Sequence, residues 1–131
     1  MALAAIARTV SVRNAVLADG VISGAMGALL IVAAGPLSGL LGISAGFLFW
    51  VGVAFMPWML ALLLIGRKDQ PSARAVETVI ALNMLWVVAS VGLIIFGPFE
   101  MTALGIAFVL AQALAVTIFA DLQFVGLKRE G

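Results

Sequence analysis

The stretch Gly66-Arg67-Lys68-Asp69-Gln70-Pro71-Ser72-Ala73-Arg74 is the one polar interruption in the middle of an otherwise apolar chain. It holds three of the seven Lys and Arg residues; the others are Arg8 and Arg13 near the start and Lys128 and Arg129 at the end. The apolar sequence on each side is long enough to cross a bilayer twice. The connections inside those stretches, Gly35 to Gly42 and Gly97 to Glu100, carry no Lys or Arg. Cytoplasmic loops of membrane proteins are enriched in Lys and Arg. The distribution therefore predicts an all-α integral membrane protein, a four-transmembrane-helix bundle running up-down-up-down with both termini and the central loop in the cytoplasm. The segregation is complete, which argues against insertion in both orientations.

Composition gives the same class. Of 131 residues, 65% are hydrophobic and 10% charged, whereas about a quarter of the residues of a soluble domain are charged. A hydrocarbon core about 30 Å thick calls for about 20 apolar residues per helix. Four such runs use up the chain, so a single membrane domain over 1–131 is expected. A net charge of +1 gives no support to nucleic-acid binding, which neutralises many phosphates. The absence of Cys removes disulfides and thiolate sites, and the absence of His removes the commonest metal ligand and general base. No Walker loop, nucleophile elbow or zinc-protease motif is present. No catalytic residue, metal site or cofactor is expected.

The spans are expected at about 15–34, 43–65, 75–96 and 101–125. Pro36 and Pro98 each follow a Gly where a helix should end, and Asp69, Pro71 and Ser72 give the central loop its turn chemistry. Residues 1–13 read either as a short interfacial helix with Arg8 and Arg13 near lipid phosphates or as a frayed tail. The two hairpins echo each other: Gly35-Pro36 and Leu41-Gly42-Ile43 against Gly97-Pro98 and Leu104-Gly105-Ile106. Such a repeat would be a tandem pair of parallel hairpins, and chance matching of apolar sequence is the competing reading.

Helices associate in lipid through close approach of small residues and interhelical hydrogen bonds. The first span offers Gly20, Gly24 and Gly27, the fourth Ala103, Ala107, Ala111 and Ala115. Either stripe could seat a neighbour within the bundle or a second protomer. In the second span Pro57 deprives the Val53 carbonyl of its usual partner, so a kink with an aromatic pocket at Trp58 competes with plain core packing.

Ionisable groups inside a membrane are costly and are functional candidates. Asp19 lies about 9 Å along its helix from Arg13, and Asp121 about 10 Å from Lys128. Asp19 has Ser23 one turn on, Asp121 has Thr117 one turn back, and Asn83 shares a face with Trp86 and Ser90. If these faces converge, Asp19, Ser23, Asn83, Trp86, Ser90, Thr117 and Asp121 would line a ligand or ion pathway. The structural alternative places Asp19 in a first helical turn and pairs Asp121 with Lys128 or Arg13. Gln112 and Gln123 share a face roughly opposite Asp121 and form a possible partner face.

Ile80-Ala81-Leu82-Asn83-Met84-Leu85-Trp86-Val87, together with Thr102-Ala103-Leu104-Gly105, Ala111-Gln112-Ala113-Leu114 and Asp121-Leu122-Gln123, resembles small four-helix bacterial inner-membrane proteins. The resemblance implies a multi-pass inner-membrane location and brings no activity with it. Two functional readings follow. One is a non-enzymatic accessory subunit or self-associating bundle, a homo-oligomer or part of a larger membrane complex, that binds lipid or another apolar partner. The other is a small proton- or cation-coupled transporter or channel using Asp19 and Asp121.

Overall fold

The computed structural model describes residues 11–130, which form five helices: α1 (Val12–Val32), α2 (Ala34–Leu41), α3 (Ala45–Gly66), α4 (Ala73–Phe96) and α5 (Ala103–Glu130). Four of them, α1, α3, α4 and α5, are long and apolar enough to cross a membrane. Their 21 to 28 residues correspond to about 30 to 40 Å at 1.5 Å per residue. The chain is an all-α, four-helix membrane bundle. The first ten residues, on which most of the expected interfacial segment falls, lie outside the described part, whereas Val12 and Arg13 already belong to α1.

Serine hydroxyls start three of the helices. Ser11, Ser44 and Ser72 accept from the backbone N–H of Asn14 (3.1 Å), Phe47 (3.2 Å) and Ala75 (3.4 Å), each satisfying a donor that the first turn leaves without a partner. Thr102 does the same for α5, accepting from Gly105 N–H at 3.0 Å.

Two boundaries differ from the sequence expectation. The Gly35–Gly42 connection contains the short helix α2, because Pro36 falls in its first turn, where the missing N–H has no partner to lose. Gly42 then ends the helix in a left-handed conformation, φ 72°. Helix α5 runs to Glu130 rather than stopping near 125, with Lys128 and Arg129 in its last turn, where cations complement the negative end of the helix dipole.

Helix α1 is the centre of the assembly. It packs along its length on α3 and also on α5, while α4 packs chiefly on α5. Gly20, Gly24 and Gly27 form the face that α1 turns to α3: a Cβ on Gly20 would lie 3.1 Å from Leu62 Cβ, one on Gly24 would run into Met59, and one on Gly27 would sit 2.8 Å from Phe55 Cβ. The two backbones come closest where Gly27 meets Gly52. The Ala103–Ala107–Ala111 stripe, in contrast, seats none of the described helices. All three residues are exposed and Ala115 is half-buried, because the face of α5 that meets its neighbours carries Gly105, Val109, Ala113 and Ala120 instead.

Buried apolar residues gather in two main clusters, Val12, Val16, Leu62, Val76 and Val79 toward the end of the bundle bearing the charged loop, and Leu30, Leu41, Ile43, Leu48 and Val109 toward the other. At that far end Thr102 ties α5 to α2. Its hydroxyl donates to the Leu40 carbonyl at 2.7 Å and its N–H to the Leu41 carbonyl at 3.1 Å.

Candidate functional site: a lateral groove over a buried polar triad

Between the two apolar clusters, three polar side chains from three helices meet. Asp19 on α1 is 2% exposed, Asn83 on α4 is 4% exposed and Gln123 on α5 is 0% exposed. Asp19 Oδ2 accepts from Asn83 Nδ2 and from Gln123 Nε2, both at 2.9 Å, and Asn83 Nδ2 also donates to Gln123 Oε1 at 3.2 Å. Ser23, one turn along α1, donates to Asp19 Oδ1 at 3.2 Å. Every neighbour in this cluster donates to the carboxylate, and none of them carries a charge. A buried polar group in lipid costs free energy unless it is hydrogen-bonded, and here Asp19, Asn83 and Gln123 each find a partner on another helix.

Asp121 takes no part in this cluster. It is exposed on α5, and Thr117, also exposed, donates to the Ala113 carbonyl at 2.8 Å rather than to the carboxylate. The reason is helical geometry. Two residues advance an α-helix by about 200°, so Asp121 and Gln123 cannot both face inward, and the inward position belongs to Gln123. The expected partner face of Gln112 and Gln123 is thus the inner face of α5, and a pair of carboxylates does not form. The sequence does hold a signal for this. Gly105 lies eighteen residues before Gln123, about five full turns, and a Cβ there would collide with the Leu41 carbonyl. A glycine marking close approach points to the buried face.

Helices α3 and α4 barely meet, and the gap between them is a groove open to the side of the bundle. Phe55 and Trp86, with ring centroids 5.2 Å apart at 59°, reach across it and divide it in two. The half nearer the charged loop has a volume of about 360 Å³ and is lined by Trp58, Phe55 and Trp86 together with Asp19, Ser23 and Asn83. The other half, about 280 Å³, is almost wholly apolar, with Ser90 and Gln112 as its polar residues. Ser90 is internally satisfied, donating to the Trp86 carbonyl at 2.8 Å. Gln112 is half-buried, and its side-chain amide makes no hydrogen bond to another described residue. Trp58 joins the groove wall as an aromatic lining residue, whereas Pro57 is exposed and turned away, and α3 continues through it as one helix.

No family model, curated protein or solved structure matches the chain.

Proposed function

We propose that this is a non-enzymatic membrane protein that holds a lipid or another apolar molecule in the groove between α3 and α4, serving as an accessory or self-associating component of a bacterial inner membrane. The observation that carries the reading is the gap itself. The α1–α3 and α4–α5 contacts are closed, yet α3 and α4 leave an aromatic-lined cleft of the size that small-molecule sites occupy, about 300 to 1,000 Å³. The unpartnered amide of Gln112 supports it, since a polar group facing an apolar groove gains from a ligand that can hydrogen-bond. A transport mechanism built on paired carboxylates lacks its second member at this site, because Asp121 is on the outer face of α5.

The test uses the two tryptophans in the groove wall as reporters. With exposed Trp50 replaced by Phe, 12-bromododecanol added to the micelle-solubilised protein is expected to quench Trp58 and Trp86 along a saturating curve. Ala89 lines both halves of the groove, so Ala89→Phe should abolish saturation. Linear quenching, identical in the two proteins, would sink the reading. Orientation has its own check, because the chain has no Cys. A single cysteine at Gln70 should react with a membrane-impermeant maleimide only from the cytoplasmic side, and one at Glu100 only from the opposite side.

A further inference from the structure

The half of the groove nearer the charged loop combines a carboxylate with aromatic faces, and this combination discriminates among apolar ligands. Asp19 lies at the base of that half, and Trp58 and Trp86 stand in its walls. The carboxylate has only neutral partners: Oδ2 is engaged twice at 2.9 Å, while Oδ1 has a single, longer bond from Ser23 at 3.2 Å. A carboxylate oxygen has room for about two donors, so Oδ1 retains acceptor capacity on a residue that lines the groove. Indole faces attract cations. Among the described residues lining either half none is Lys or Arg, so nothing there would balance a phosphate or a fatty-acid carboxylate. From this we infer that the groove binds a single-chain amphiphile with a positively charged ammonium head, the head donating to Asp19 Oδ1 between Trp58 and Trp86 and the chain passing the Phe55–Trp86 pair into the apolar half.

This assignment rests on the groove reading proposed above, and the experiment separates the two. In the Trp50→Phe background, quenching by 12-bromododecanol is reversed by competition with dodecylammonium or with dodecanol, which share a chain and differ in the head. Dodecylammonium should compete at about a tenfold lower mole fraction in the micelle, which corresponds to about 1.4 kcal/mol. Asp19→Asn should reduce that preference to under about twofold. Because Asp19 also holds the triad, Trp58→Leu provides a second arm that leaves every hydrogen bond of the triad in place; it should reduce the preference about threefold while Trp86 still reports binding. Equal competition by the two heads would overturn the ammonium assignment and leave the groove reading intact. A preference unchanged in both variants would also overturn it, by showing that the head sits outside the groove. Absence of saturable quenching would remove the groove reading together with this one.

Discussion

The two hairpins of this bundle are built on different principles. In the first, α1 and α3 meet backbone to backbone, with Gly20, Gly24 and Gly27 facing Leu62, Met59 and Phe55, and with Gly27 against Gly52. In the second, the one glycine inside α4, Gly92, has open space where its Cβ would be, and the glycines of α5 are used against the first hairpin: Gly105 against Leu41 and Gly126 against Val12. Dispersion through close approach holds the first hairpin together. The hydrogen bonds of Asp19, Asn83 and Gln123 then join the first hairpin to the second. Lipid cannot drive helices together by the hydrophobic effect, so a chain of this composition needs both devices.

The sharpest way to break this contrast is at its tightest point. Gly27→Leu should cost about 3 kcal/mol or prevent folding, read as loss of the cooperative transition when the protein in mixed micelles is titrated with SDS. Gln123→Leu should cost about 1 kcal/mol in the same titration, since intramembrane hydrogen bonds contribute about 0.6 to 1.7 kcal/mol each and Asn83 still reaches Asp19. Gly92→Ala should go the other way, gaining about 0.5 kcal/mol from helix propensity because nothing there is crowded. The smallest effect is expected at Ala107→Leu on the outer face of α5, within about 0.5 kcal/mol. A cost above about 2 kcal/mol at that position would mean that the alanine stripe meets a partner in the micelle.

Much of this architecture can be read from the residues, and the unread part has a physical cause. Loop charge and span length are one-dimensional properties, so the four long helices fall close to their expected places. Which way a helix faces is another matter. In a soluble protein a polar stripe marks the outside; here both faces of every helix are apolar, and Val32 and Phe96 are the most exposed of the large apolar residues described. Polar residues on α5 could therefore be assigned to either side. Asp19, Ser23 and Asn83 were identifiable as intramembrane polar groups near one depth, but the choice of Gln123 over Asp121 required knowing which face of α5 docks. Gly105 and Gly126, in the same helix, carried that information. The groove was illegible for a different reason. It results from two helices that pack only sparsely, and no local sequence feature encodes a missing contact.

The triad also constrains how the protein is made. Asp19 and Gln123 are separated by 104 positions, and synthesis at about 5 to 20 residues per second delays the second by about 5 to 20 seconds after the first. During that interval the first hairpin can already close on its glycines, while its carboxylate, held by Ser23 alone, waits for the interhelical donors that the second hairpin brings. A ribosome stalled within the first 102 residues, before α5 begins, would leave that acceptor with Ser23 of its own helix and Asn83 at most. Closure of the triad is thus completed by α5, the last of the described helices to be made.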